Sequence, residues 1–317
     1  MSLRDRLLAV VVAVCWGLNF PATALALDHF PPFFLVALRF ALIAVPTILL
    51  VPRPKVKLRW LLGVGLGIGL LQFAFLYLGM AAGMPSGLAS LVLQASAPFT
   101  VIIAGIWLRE RITRRQAIGI CIAVLGLAAI AFHRAQVAAL LPVILTLCGA
   151  LGWAIGNVST RKAEAPNPFR LTLWMSVVPP IPMLALSLVV EGPQRIGESL
   201  STVFTLDALP SVLGLLYVVL IATLVGYGIW GGLLKRNPSS VVAPFSMLVP
   251  VVGVLASWLA FGELIDAVEI IAGALVVGGV LFASLRPRRR GGAGLESRAD
   301  EAPAASPPGE RLASTVE

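Results

Sequence analysis

Arg39 stands well inside an apolar run of membrane length and is the only charged residue of this chain so placed. An ionisable side chain is costly in hydrocarbon, so one that remains there is a functional candidate. Two readings are open for it: a packing element that snorkels or pairs with helix-end carbonyls, or a cation that binds a substrate carboxylate. No carboxylate falls near the middle of a run, Glu269 coming nearest, so an obvious proton-carrying acid is missing. Neutral polar residues are more numerous. Asn19, Gln72 and Gln94 lie in the first, third and fourth runs, and Asn157, Tyr227 and Ser246 in the sixth, eighth and ninth. An amide or hydroxyl at that depth needs a partner, so all six are expected to face the interior, either as interhelical hydrogen bonds or as substrate ligands. Asn19 and Asn157 follow Trp16-Gly17-Leu18 and Trp153-Ala154-Ile155-Gly156, near-equivalent places that hint at a shared central cavity. Trp16, Trp153, Trp174 and Trp230 would line it, unless they anchor span ends at the interface as tryptophan commonly does. Pro98 and Pro250 each lack an amide and free a carbonyl inside the membrane, which suits a kink, a hinge or a substrate ligand.

Enzyme chemistry has little support. A serine or metal hydrolase would want a histidine within the bundle, yet His29 and His133 both fall at run ends. Gly63, Gly65, Gly67 and Gly69 lack the G-x-G-x-x-G spacing and follow no strand, so they suit close helix packing rather than phosphate binding. No G-x-x-x-x-G-K-S/T loop for ATP hydrolysis is present either. Cys15, Cys121 and Cys148 lie within apolar runs, which argues against a disulfide framework and against a metal site. No cofactor is expected, and any pumping would draw on a gradient or on exchange.

The elements that position these residues follow from composition. Of 317 residues 58% are hydrophobic and 12% charged, with a mean hydropathy of +0.95, too little polar surface to clothe a soluble body. Runs of about 20 apolar residues, enough to cross a hydrocarbon core of about 30 Å, are expected at 6–27, 33–51, 60–80, 85–107, 115–133, 139–160, 170–190, 209–234, 239–260 and 265–285. Arg4, Arg6 and Ala24-Leu25-Ala26 lend the first run the look of a signal peptide. Its loss would spoil the internal repeat described next, so it is read as a helix. The fold class is therefore all-α integral membrane, ten transmembrane helices, with the bilayer as partner. The net charge of +9 belongs to residues flanking apolar runs, which fits anionic lipid rather than nucleic acid.

Repetition organises the chain. Pro85 and Glu110 bound one stretch, Pro238 and Glu263 another, and each pair is displaced by 153 residues. Arg4 and Arg6, the basic cluster 53–59, the cluster 109–115, Arg161, Lys162 and Arg170, Lys235 and Arg236, and the cluster 286–290 occupy alternate loops, against Arg134 and Arg195 on the other side. The positive-inside rule then puts both termini in the cytoplasm. Five helices per copy is an odd number, so the second copy enters from the opposite side and the repeats are inverted, a pattern shared by many secondary transporters. The expected divisions are 1–137, 138–286 and a disordered cytoplasmic tail, 287–317, rich in Pro, Ala, Ser, Gly and Glu. Residues 192–207 form the longest expected external loop.

The motifs Trp16-Gly17-Leu18-Asn19-Phe20, Leu38-Arg39-Phe40 and Pro85-Ser86-Gly87-Leu88-Ala89-Ser90-Leu91-Val92-Leu93-Gln94, with Glu110 and Glu263, resemble the EamA family of the drug/metabolite transporter superfamily. Arg53-Pro54-Lys55-Val56, Gln72-Phe73-Ala74-Phe75-Leu76 and Val225-Gly226-Tyr227-Gly228-Ile229-Trp230-Gly231 are similar to its bacterial branch of cysteine and O-acetylserine exporters. The likeness covers about residues 1–285, with one departure: thirteen residues separate Pro250 from Glu263, and twelve separate Pro98 from Glu110. It implies a multi-pass carrier of the bacterial inner membrane, monomer or homodimer, exporting a small amino-acid-like molecule by alternating access. Arg39 would hold the substrate carboxylate, while Asn19, Gln72, Gln94, Asn157, Tyr227 and Ser246 supply neutral hydrogen bonds. The alternatives are an exporter of hydrophobic amines or drugs, a passive channel, and a non-transporting adaptor working through its tail.

Overall fold

In hydrocarbon a backbone amide finds no water, so an apolar run must satisfy its own polar groups and winds into a helix. A computed structural model describes residues 1–109, 111–137, 139–237 and 242–284, among which no strand occurs. Among the described residues eight helices are long and apolar enough to cross a membrane: α1 (Leu3–Leu27), α2 (Pro32–Leu50), α3 (Leu58–Ala81), α4 (Ser86–Trp107), α5 (Arg114–His133), α6 (Leu141–Ala163), α7 (Pro168–Val190) and α8 (Leu209–Leu233). Two shorter apolar helices follow, α9 (Phe245–Phe261) and α10 (Ala267–Ala283). At 1.5 Å per residue each of these is about 25 Å long, a little under the hydrocarbon thickness. Of the ninth expected run, 239–260, the structure describes a 3₁₀ turn at Ala243–Met247 and the helix that follows it, and residues 238–241 lie outside the described residues. Glu110 and the tail 287–317 lie outside them as well.

Several helices are interrupted, and the interruptions have local causes. Leu18 separates Leu3–Gly17 from Asn19–Leu27 in α1. Residues 176–179 break α7 between Pro168–Met175 and Pro180–Val190, where Pro179, Pro180 and Pro182 crowd the chain. In α3 the stretch Gly65–Gln72 is π-helical, and in α8 so is Tyr217–Val225. Shifted by the 153 residues that part Pro85 from Pro238, the two stretches coincide to within a residue. Pro98 and Pro250 are each the third residue of an α-segment that follows a 3₁₀ turn, Leu93–Ala95 in one case and Ala243–Met247 in the other. A first-turn proline loses no intrahelical hydrogen bond there. The loop after α7 carries a short amphipathic helix, Pro193–Ser201.

Packing runs across the middle of the sequence. α1 lies chiefly on α8 and α9, as α6 lies on α3 and α4; α2 meets α7, α4 meets α9, and α5 meets α10. Small residues permit the approach. A Cβ on Gly67 would fall 2.5 Å from the Gly156 nitrogen, and one on Gly119 would fall 2.5 Å from the Gly279 oxygen. The glycines of α3 work as close-packing positions, Gly63 and Gly67 towards α6, Gly65 and Gly69 towards α7. The largest fully buried side chains, among them Phe30, Phe40, Leu35, Leu76 and Tyr77, come mainly from α2, α3 and the turn before α2.

Two carboxylates of the second half close helix ends of the first. Glu191 Oε1 and Oε2 accept from the Phe33 and Phe34 amides at 2.7 and 3.0 Å, at the start of α2. Glu263 does the same for α4, accepting from the Ser86 and Gly87 amides at 3.1 Å each. Both satisfy donors that a helix start leaves free and set negative charge against its positive end.

Candidate functional site

Arg39 is the eighth residue of α2 and is 3% exposed, so it does not snorkel. Its Nη1 donates to the Tyr77 hydroxyl at 2.6 Å and its Nη2 to Thr223 Oγ1 at 3.1 Å. The guanidinium carbon lies 3.9 Å from the centroid of the Phe73 ring and 5.4 Å from that of Phe40. Cation–π attraction contributes about 2 kcal/mol at a desolvated site. No carboxylate among the described residues pairs with Arg39. Its Nε is buried without a partner. The bundle thus holds a full positive charge balanced only by hydroxyl dipoles and ring faces, which is an invitation to an anion.

The π-helical stretch of α8 is where this arginine meets the rest. Thr223 donates its own proton to the Val218 carbonyl five residues back, at 2.8 Å, which leaves its lone pairs for Arg39. The carbonyl of Ala222, the residue before Thr223, accepts from Trp16 Nε1 at 2.9 Å, and the Tyr217 hydroxyl donates to the Cys15 carbonyl at 3.1 Å. The Trp16 ring lies 5.1 Å from both Tyr227 and Trp230, at 54° and 53°. Gly226 makes this possible, since a Cβ there would sit 2.6 Å from Trp16 Nε1. Three of the expected residues, Trp16, Tyr227 and Trp230, therefore form one aromatic group between α1 and the part of α8 that follows the π-helical stretch receiving Arg39.

The segment Asn19–Leu27 packs chiefly on Leu209–Leu216, on Ser86–Val92 and on α9, and also touches α2, Tyr217–Val225 and Phe73–Ala81, the segment that follows Gln72. Asn19 Oδ1 and Gln72 Oε1 are buried and have no hydrogen-bond partner. Gln94 is buried within the 3₁₀ turn of α4. Asn157 Nδ2 donates to Thr100 Oγ1 at 3.3 Å, so α6 and α4 are tied at this level, and Trp153 packs against the core one turn earlier. Ser246 is half-buried in the turn before α9. Trp174 stands apart from the arginine: its Nε1 donates to the Val51 carbonyl at 3.0 Å, tying α7 to the end of α2.

Taken singly, Tyr77, Thr23 and Thr223 carry no distinguishing signal in sequence, since each is a single hydroxyl in an apolar helix, and Phe73 is one ring among fourteen phenylalanines. The usable signal was spacing. Phe73 and Tyr77 are one turn apart, as are Asn19 and Thr23, and residues so spaced share a helix face. Above the site, at the end of the bundle where α2 and α4 begin, a cavity of about 750 Å³ is lined by Ala24, Leu27, Met80, Met84, Arg195 and Glu198 among others. His29 holds one wall of it, with Nε2 2.8 Å from the Ser199 carbonyl. No group of His, Cys, Asp and Glu that could hold a metal occurs among the described residues.

Residues 6–132 and 140–285 match the EamA-like transporter family, one match in each half of the chain. A protein of Salmonella typhimurium named "Probable amino-acid metabolite efflux pump" is 42% identical over 286 residues, covering 88% of this chain and 94% of its own. One of Escherichia coli with the same name is 40% identical over the same coverage. A crystal structure superposes with a TM-score of 0.60 at 19% identity, over 92% of this chain and 99% of the other, a likeness that bears on the fold alone.

Proposed function

This chain belongs to the EamA-like transporter family, and on that footing we propose that it is a secondary exporter of small amino-acid-like metabolites, of the cysteine and O-acetylserine class. It works in the bacterial inner membrane by alternating access between two inverted five-helix halves, with both termini in the cytoplasm. The observation that carries the substrate class is Arg39, a buried guanidinium with no carboxylate partner among the described residues and with its Nε unpartnered. A substrate carboxylate supplies the missing charge. The names of the two relatives at 40–42% identity point the same way.

Support for the two halves comes from packing and from irregularity. α1 lies on α8 and α9 as α6 lies on α3 and α4, which is what a twofold exchange of halves produces. The π-helical stretches of α3 and α8 and the 3₁₀ turns at α4 and α9 recur at matching places. Helices with a loosened turn can change curvature there without breaking a long run of hydrogen bonds, so Pro98 and Pro250, just beyond the 3₁₀ turns, serve as the hinges. Asn19, Gln72, Gln94, Asn157, Tyr227 and Ser246 supply neutral contacts to substrate on the two sides of the arginine, with Trp16, Trp153 and Trp230 lining the path.

The test is counterflow of labelled cysteine and O-acetylserine in proteoliposomes holding the full chain, with other amino acids and a lipophilic cation as competitors. Saturable exchange of either amino acid is expected. Exchange of the lipophilic cation alone would refute this substrate class and favour an exporter of hydrophobic amines, for which the Trp16, Tyr227 and Trp230 group would be the seat. Flux without saturation or counterflow would mean a channel. No flux, with the phenotype lost on deleting residues 287–317, would mean an adaptor.

A further inference from the structure

Among the described residues, four buried side-chain atoms lack a hydrogen-bond partner: Asn19 Oδ1, Thr23 Oγ1, Arg39 Nε and Gln72 Oε1. Orphaned buried polar atoms are rare in a folded protein and each needs a reason. These four divide by chemistry. One is a donor on a cation, two are carbonyl oxygens that only accept, and the last is a hydroxyl oxygen that accepts as readily as it donates. We propose that Thr23 contacts the substrate, and that with Asn19 Oδ1 and Gln72 Oε1 it forms an acceptor pole for the α-ammonium group of a zwitterionic amino acid whose carboxylate lies on Arg39. This deepens the exporter reading and rests on it.

Thr23 is the most informative of the four. A threonine inside a helix has a ready acceptor in the carbonyl four residues back, and this chain uses it repeatedly. Thr100 donates to Ser96, Thr146 to Pro142, Thr160 to Gly156 and Thr172 to Pro168. The hydroxyl of Thr23, 1% exposed, does not donate to the Asn19 carbonyl and has no partner. A hydroxyl held away from its local acceptor in a dry interior is held for something else.

Its placement says for what. Asn19 and Thr23 are one turn apart on one face of a segment that touches α2, Phe73–Ala81 and Tyr217–Val225, the elements that supply Arg39, Tyr77 and Thr223. Ala24 and Met80, next to Thr23 and one turn from Tyr77, line the 750 Å³ cavity at the bundle's end. Charge fits too. A carboxylate placed here for the ammonium would have neutralised Arg39 instead, whereas neutral oxygens bind an ammonium and leave the arginine for the substrate. An ammonium has three donors, and Asn19, Thr23 and Gln72 offer three unpartnered oxygens.

The experiment uses the purified full chain in proteoliposomes, with counterflow of labelled cysteine competed by cysteine, by N-acetylcysteine, which lacks the ammonium, and by cysteine methyl ester, which lacks the carboxylate. Wild type is expected to bind N-acetylcysteine at least about 100-fold more weakly than cysteine, since more than one hydrogen bond to a charged group is lost. Thr23→Val keeps the shape and removes the hydroxyl. It should raise the half-saturating cysteine concentration about 10- to 150-fold, the worth of one hydrogen bond to a charged group, and leave inhibition by N-acetylcysteine unchanged. Thr23→Ser, which keeps the hydroxyl, should stay within about twofold of wild type. The proposal is overturned if Thr23→Val keeps wild-type affinity for cysteine, if it weakens cysteine and N-acetylcysteine alike, if Thr23→Ser is as damaged as Thr23→Val, or if wild type does not distinguish the two competitors. A wild-type protein that exchanges no amino acid refutes the exporter reading itself, and the acceptor pole falls with it.

Discussion

Glu263→Ala is expected to lower the unfolding free energy by about 2 to 4 kcal/mol, a large part of the stability of most folded proteins. In the structure Glu263 accepts from the Ser86 and Gly87 amides at 3.1 Å each, and the Ser86 hydroxyl lies 3.0 Å from its Oε1 and 2.7 Å from Ser257 Oγ. Ser86 and Ser257 are buried, so water is a poor replacement for the lost oxygens. An N-cap is worth about 0.5 to 2 kcal/mol and a negative charge at a helix start about 0.3 to 1. Leaving a buried amide without an acceptor adds about 1 to 3. These terms overlap, which brings the expected loss to the stated range. Glu263→Gln keeps one acceptor and loses the charge, so about half the loss should remain. The assay is denaturant unfolding of detergent-solubilised protein, followed by helical circular dichroism, for both variants, for Ser86→Ala and for Glu263→Ala combined with Ser86→Ala. Coupling of about 1 to 2 kcal/mol between the two positions is expected. A loss below about 0.5 kcal/mol for Glu263→Ala, or equal losses for Ala and Gln, would refute the capping argument.

Three further outcomes follow from the geometry. Arg39→Lys and Arg39→Gln should each cut efflux by at least about tenfold at equal membrane abundance, because a lysine cannot reach Tyr77 and Thr223 together while stacking on Phe73; wild-type efflux in Arg39→Lys would remove the fork geometry from the mechanism. Gln94→Ala and Asn157→Ala should each abolish export and leave the protein in the membrane, and unchanged efflux in both would take these residues out of the site. Gly67→Ala should cost about 1 to 3 kcal/mol, since its Cβ would press on the Gly156 backbone 2.5 Å away, while Gly197→Ala, with nothing within 4 Å, is the control expected within about 0.5 kcal/mol of wild type; equal thermal midpoints for the two would contradict the packing described.

Much of the fold was legible because the membrane enforces it. Each of the first eight runs expected from hydropathy has a helix over nearly the same residues, since a hydrocarbon solvent leaves an apolar segment no other way to satisfy its backbone. The glycines of α3 were legible for a similar reason, as small residues with helical spacing have packing as their main use in lipid. The interruptions were less so. Pro179, Pro180 and Pro182 mark the break in α7, but the π-helical turns of α3 and α8 have no proline and no polar run to announce them. They belong to the contacts around them, as the Trp16 indole on the Ala222 carbonyl illustrates.

The sequence by itself determined that the chain is a helical membrane protein, that its two halves carry one repeated pattern, and that Arg39 is the charge needing an explanation, because hydropathy, repetition and the cost of a buried ion are properties of residues along a line. Only the tertiary structure decided what that charge meets. Tyr77 is 38 positions away in sequence and Thr223 is 184 away, and Glu263 reaches the start of α4 across 177. Hydrogen bonds act over about 3 Å, and no local pattern records which distant helices are packed within that reach. For the same reason Thr23 was silent in sequence: its meaning lies in the acceptor it does not use and in the helices that close around it.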